Sequence, residues 1–294
     1  MAKHAGWGAA LSALLAAVFY AASMPFSRLL LEYVQPAMLA SLLYLGAGLG
    51  IGLMFVARGG KRQAGNLDRK DLPYVLGMVA LDILAPILLM LGLKSTASST
   101  ASLLNNFEIV ATSLIALLAF KEAISGRLWL AILLITLASL LLSFEGAQAL
   151  RLSPGALLVL LAAACWGLEN NCTRMLSGKN TWQIVTIKGL FSGLGAMVVA
   201  LLMGEAPPKA LPLVLSLLLG FVSFGLSIFL YIRAQAVLGA AKTSAYYAIA
   251  PFAGALLSFL LLQESLPPRY LPALALMLLG SALLVRDTLK GAAS

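Results

Sequence analysis

The chain has 294 residues, 61% apolar and only 11% charged, with a mean hydropathy of +0.98. A soluble domain carries about 25% charged residues to wet its surface, so the solvent for most of this chain is lipid. The net charge of +9 does not point to nucleic acid, because the basic residues are spread between apolar segments. The single histidine, His4, near the N-terminus, leaves no basis for His-based metal catalysis and little for His-based proton chemistry. Cys165 and Cys172 lie in one apolar run and read as small core residues, since metal sites need tighter clusters.

A spanning helix needs roughly 20 mostly apolar residues. Runs of that kind occur at 8–30, 36–57, 72–93, 97–119, 128–145, 154–176, 181–203, 212–233, 243–262 and 267–285. They predict an all-α integral membrane protein of ten transmembrane helices. The first run carries Tyr20 and Pro25 and continues to Leu31, which favours a retained span over a signal peptide. The second opens at Pro36 and carries Tyr44; the third carries Asp82 near its middle and Pro86. The fourth sets Asn105, Glu108 and Thr112 at helical spacing, a polar stripe with Phe107 beside it. Trp129 starts the fifth and, with Trp7 and Trp182, reads as an interfacial anchor.

The sixth run holds Trp166, Glu169, Asn170 and Asn171, and the seventh holds Lys188. Glu169 and Lys188 each lie about 10 Å from the same membrane face, counting 1.5 Å of rise per residue. They are therefore expected to meet, as a structural ion pair or as an inner gate. The two asparagines read as helix–helix glue. The ninth run begins with Tyr246, Tyr247 and Pro251; adjacent helical positions point about 100° apart, so at least one tyrosine faces the bundle. Pro25, Pro86 and Pro251 are candidate hinges, each freeing a carbonyl, with static kinks the plain alternative. A midplane carboxyl is costly and marks function by default, so Asp82 and Glu108 are candidate substrate or proton sites.

Orientation follows from the basic residues. With the N-terminus cytoplasmic, the inner segments hold Lys3; Arg58, Lys61, Arg62, Arg69 and Lys70; Lys121 and Arg127; Arg174 and Lys179; Arg233 and Lys242; and Arg286 and Lys290. The outer segments hold one each, Arg28, Lys94, Arg151, Lys209 and Arg269. Both termini are then cytoplasmic, in a multi-pass protein of a bacterial-type inner membrane.

The halves 1–149 and 150–294 resemble each other. Phe19-Tyr20 through Ser27-Arg28-Leu29-Leu30 aligns with Cys165-Trp166 through Thr173-Arg174-Met175-Leu176, and Ala119-Phe120-Lys121-Glu122 with Leu261-Leu262-Gln263-Glu264, at nearly the same offset. Five helices per copy is odd, so the second copy enters from the opposite face, an inverted repeat of the transporter kind.

Residues Gly92-Leu93-Lys94-Ser95-Thr96-Ala97-Ser98-Ser99-Thr100-Ala101-Ser102 through Phe120-Lys121-Glu122 carry a family likeness. So do their second-half partners, Ala234-Gln235-Ala236 through Thr243-Ser244-Ala245, then Pro251 and Leu262-Gln263-Glu264. In both halves the chain resembles the drug/metabolite transporter superfamily of EamA type. That resemblance implies ten helices, cytoplasmic termini and a central cavity, and looks most like amino-acid and metabolite exporters, including the YddG-like aromatic amino-acid exporters. Members usually have a proline in both halves where this chain has Glu108 and Pro251.

The expected function is a secondary transporter exporting small amphiphilic metabolites, amino acids including aromatic ones, by alternating access. The expected path is lined by Tyr20, Tyr44, Asp82, Asn105, Glu108, Trp166, Tyr246 and Tyr247. Its partners are the bilayer, a small-molecule substrate and candidate coupling protons, with no nucleic acid; one monomer suffices for a path. No catalytic residues, metal or cofactor are expected. A multidrug or organic-cation exporter is the alternative. An intramembrane enzyme lacks any His-Glu-x-x-His or Gly-x-Ser-x-Gly motif here, and a channel lacks a filter motif.

Overall fold

The computed structural model describes residues 2–58, 65–120, 125–145, 151–176, 178–238, 243, 246–264 and 267–291. Among these, regular structure is helical apart from a two-residue antiparallel bridge between Phe144–Glu145 and Arg151–Leu152. Six stretches are long and apolar enough to cross a bilayer: Trp7–Leu30, Pro36–Ala57, Arg69–Ser95, Pro154–Met175, Thr181–Leu202 and Ala210–Ala234. Shorter apolar helices run Trp129–Leu142, Ala250–Leu262 and Tyr270–Leu283. Leu53, Leu118, Leu202 and Leu271 stand exposed on their outer faces, a surface that suits lipid and would aggregate in water.

The first half comprises α1 (Ala2–Ala21), α2 (Ser23–Leu30), α3 (Pro36–Ala57), α4 (Leu72–Ser95), α5 (Ser98–Leu104), α6 (Phe107–Phe120) and α7 (Gly126–Ser143). The second comprises α8 (Pro154–Met175), α9 (Thr181–Leu202), α10 (Ala210–Gly220), α11 (Ser227–Leu238), α12 (Ala250–Leu262) and α13 (Tyr270–Gly291). Pro36 and Pro154 open α3 and α8, where a helix has no use for the missing N–H. Asn180 caps α9 by accepting from the Trp182 N–H.

Three of the predicted spans are not single rods. The fourth breaks at Asn105-Asn106 between α5 and α6, where the Asn106 side chain donates to the Leu103 carbonyl. Asparagine competes with the helix for its own backbone in this way, a cost that counting apolar residues overlooks. The eighth passes through a π-helical turn, Phe221–Leu226, between α10 and α11. Pro251 lies in the first turn of α12 rather than inside a span. Pro86 sits within an uninterrupted α4, while Pro25 follows the α1/α2 break at Ala22. At the N-terminus His4 falls within α1.

The packing is symmetric under exchange of the halves. α3 packs on α9, α5 on α12 and α7 on α13, each pairing a helix with its repeat counterpart. The contacts α4 with α8 and α1 with α11 are images of each other. At the α3/α9 crossing two glycines touch: a Cβ on Gly48 would lie 2.4 Å from the Leu190 nitrogen, and one on Gly189 2.3 Å from the Gly48 nitrogen. Only glycine lets the backbones come that close. This contact sets the distance between Tyr44 on α3 and Lys188 on α9.

Candidate substrate path

The crossing brings four helices' polar residues into one buried network. Lys188 Nζ lies 2.9 Å from Glu169 Oε1 on α8 and 3.1 Å from Asp82 Oδ2 on α4. Asp82 also accepts from the Tyr44 hydroxyl at 2.8 Å, and Tyr44 in turn accepts from Trp166 Nε1 at 3.3 Å. Thr173, one turn along α8, donates to Glu169. All five members from Trp166 to Glu169 are buried. Two carboxyls flank one ammonium, and the hydrogen bonds from Tyr44 and Thr173 satisfy oxygens that would otherwise be costly in hydrocarbon.

A second polar group borders the first. Asn170 Nδ2 donates to Glu108 Oε1 at 2.6 Å, in the first turn of α6. There the carboxyl also faces the positive end of that helix. Asn105, at the α5/α6 break, donates to the Tyr20 hydroxyl at 2.9 Å. The aromatic side is closed by rings: Tyr20 stacks edge-on with Phe224 at 5.9 Å, Tyr44 meets Phe224 at 5.4 Å, and Tyr247 meets Tyr20 at 5.9 Å and Tyr231 at 5.0 Å.

The structure therefore gathers Tyr20, Tyr44, Asp82, Asn105, Glu108, Trp166, Glu169, Lys188 and Tyr247 near the interface of the halves, and leaves Tyr246 outside. Tyr246 is 41% exposed, as expected for the neighbour of an inward-facing residue. Asp82, a candidate substrate or proton site, is paired with Lys188. Trp182, expected as an interfacial anchor, is buried against Phe229 and Phe55, whereas Trp7 and Trp129 are exposed. Where the resemblance implied a central cavity, the rings and the ion network pack at the interface of the halves. Two cavities lie towards the ends, one of about 190 Å³ around Arg269 and one of about 200 Å³ around Arg58 and Arg233. Phe224 and Tyr231 were missed. Their signal was the Ser223-Phe224-Gly225 run interrupting an apolar helix, which is where the π turn forms; such turns favour functional positions.

The model of the EamA-like transporter family matches residues 7–144 and again 153–286. The chain belongs to the EamA-like transporter family. An uncharacterized transporter of Methanothermobacter thermautotrophicus is 28% identical over 282 residues, covering 88% of this chain and 80% of the relative. A solved crystal structure shares the fold with a TM-score of 0.68 at 16% identity, covering 94% of each chain. This EamA-like protein is a multi-pass membrane transporter of the drug/metabolite superfamily rather than an enzyme. The family's motif residues Lys121-Glu122 lie outside the described residues, but their second-half counterpart is visible. Glu264 Oε1 and Oε2 accept from the Ser98 and Ser99 N–H groups at 2.6 and 2.9 Å, capping α5 from the other half.

Proposed function

We propose that this transporter exports small amphiphilic metabolites, amino acids including aromatic ones, by alternating access between its halves. The observation that carries the reading is the joined network of Trp166, Tyr44, Asp82, Lys188 and Glu169. It places charged groups of both signs beside aromatic rings, at the helices that cross between halves. An amino acid offers the same combination: an ammonium, a carboxylate and a side chain suited to ring contacts. With the N-terminus cytoplasmic, Arg58 to Asp71 faces the cytoplasm and the α5 cap faces outside. Substrate release requires this packed middle to open first toward one end and then the other.

One observation favours a second reading, an organic-cation exporter. Among the described residues the cluster has three carboxyls, Asp82, Glu108 and Glu169, against the single Lys188, an excess that suits a cationic substrate. Uptake of labelled aromatic amino acids, aliphatic amino acids and a lipophilic cation into proteoliposomes, with and without a pH gradient, separates the two. Uptake of the aromatic amino acids is the expected result; uptake of the lipophilic cation alone would establish the second reading. Trp166→Ala is expected to weaken transport about threefold to tenfold at unchanged protein level, the scale of one lost aromatic contact. Glu108→Gln is expected to change the pH dependence of the rate if the substrate is coupled to protons.

A further inference from the structure

The cavity of about 190 Å³ at the end of the molecule opposite Arg58 is lined by Ser95, Thr96, Thr100, Ser153 and Arg269, with Leu142 among its apolar walls. It is built between the halves, at the end of α4, the start of α5 and the N-terminal ends of α8 and α13. Its volume is far above the roughly 15 Å³ that one water requires. Two of its polar atoms are buried without a partner: Arg269 Nε and Thr96 Oγ1. A buried guanidinium nitrogen that bonds to nothing is costly, and such orphans call for a specific explanation. Among the described residues no carboxylate lies within ion-pair distance of Arg269. Glu264, five residues earlier, gives both oxygens to the Ser98 and Ser99 N–H groups.

The backbone makes room for this arrangement. A Cβ on Gly155, in the first turn of α8, would lie 2.2 Å from Thr96 Oγ1 and 2.5 Å from Ser95 Oγ. The absence of that side chain is what admits the two hydroxyls against α8. The cavity thus offers the Arg269 cation and hydroxyl donors with apolar surroundings, and among the described residues that line it there is no acid. A guanidinium with hydroxyl donors matches the charge and hydrogen-bonding needs of an oxyanion of phosphate size.

We propose that this cavity is a binding site for a phosphate-type oxyanion, held by Arg269 and the hydroxyls of Thr96 and Thr100. Because its walls come from both halves, a bound oxyanion ties them together at this end of the transporter. The phosphate can arrive as a free ion or as the headgroup of an anionic lipid. The full-length protein is tested in two arms. In nonionic detergent, sodium phosphate is titrated against sodium chloride of equal ionic strength. In nanodiscs, phosphatidylglycerol is titrated into phosphatidylcholine. Thermal unfolding is read in both, since a ligand of the folded state raises the midpoint with its concentration.

A saturable rise is expected in at least one arm. A rise with phosphate identifies a free oxyanion, and a rise with phosphatidylglycerol alone identifies the lipid headgroup. Affinity should fall about tenfold or more in Arg269→Gln and in Thr96→Val, each of which removes a donor. Arg233→Gln, at the other cavity, should leave it unchanged. If Arg269→Gln does not fold, the near-isosteric Thr96→Val decides. No saturable rise in either arm, or equal affinity in the wild type and the Thr96→Val variant, would overturn the site.

Discussion

Lys188 is the residue on which the buried charges of this transporter balance. It lies within ion-pair distance of Asp82 and Glu169 at once, and no other cation among the described residues does so. Replacing it with methionine leaves two facing carboxyls in hydrocarbon, and breaking a buried pair costs about 3–5 kcal/mol. Lys188→Met should therefore unfold at a markedly lower temperature than Glu169→Gln or Asp82→Asn. Adding either acid substitution to it should recover part of the loss. Strictly additive losses in a thermal-shift cycle would show that the three groups do not act together. The pairing of Glu169 with Lys188 was readable from sequence because both lie at equal depth on consecutive helices. The link to Asp82 was not, because depth counts follow the backbone alone. Asp82 lies three residues deeper, about 4.5 Å of helix rise, and the four-carbon stem of lysine spans that gap.

At the scale of the element, hydropathy made the long rods legible and hid where they break. α3, α4, α8 and α9 fall within a few residues of their predicted bounds, since proline and polar caps mark their ends. The α5/α6 break and the π turn hinge instead on local hydrogen bonding that an average over 20 residues cannot register. The glycine crossing of α3 and α9 was equally silent, because a glycine's meaning depends on what approaches it. Gly189→Val should place side-chain atoms inside the α3 backbone and abolish monodisperse, folded protein on size exclusion. Gly126→Ala, which meets open space, should be tolerated; equal behaviour of the two would refute the crossing. The turn between α8 and α9 is fastened differently, by Lys179, which lies 2.9 Å from Asp71 and 3.4 Å from Asp68. The hydrogen bond to Asp71 holds the Lys179 ammonium above the usual lysine range. A raised lysine contributes its stability below its unfolded value, about 10.4, and loses it as pH climbs through the raised one. Protease resistance of this turn should thus be flat from about pH 6 to 9 and fall only beyond about 10.4. Lys179→Met should lower it from about pH 6 to 9 and remove the alkaline fall, and a fall already at neutral pH in the wild type would refute the assignment.

Across the whole molecule, both ends are closed by polar contacts that cross from one half to the other. At one end Glu264 caps α5, and Glu205 accepts from the Ala37 and Met38 N–H groups at 3.2 and 2.6 Å, capping α3. Both carboxylates belong to the second half and both caps to the first. At the other end Lys179 holds Asp71, Gln183 accepts from the Leu67 N–H at 3.0 Å, and the Asn180 N–H donates to the Gly65 carbonyl at 2.8 Å. The alternating access proposed above would require these fastenings to release at one end at a time, with the caps setting how readily the first end opens. A helix cap is worth about 1 kcal/mol, which corresponds to roughly a fivefold change in an opening equilibrium. Glu264→Ala should therefore raise the rate at which an impermeant thiol reagent labels a cysteine placed at the buried Ser99, by roughly fivefold, in protein with Cys165 and Cys172 replaced. Glu264→Gln, which keeps an acceptor oxygen but loses the charge, should fall between the two. Because Ser99 lies at the start of α5, away from Arg58, labelling should occur from outside intact cells when the N-terminus is cytoplasmic. Labelling that is unchanged by Glu264→Ala would mean that the cap does not govern opening, and labelling only from the cytoplasmic side would invert the orientation of the transporter.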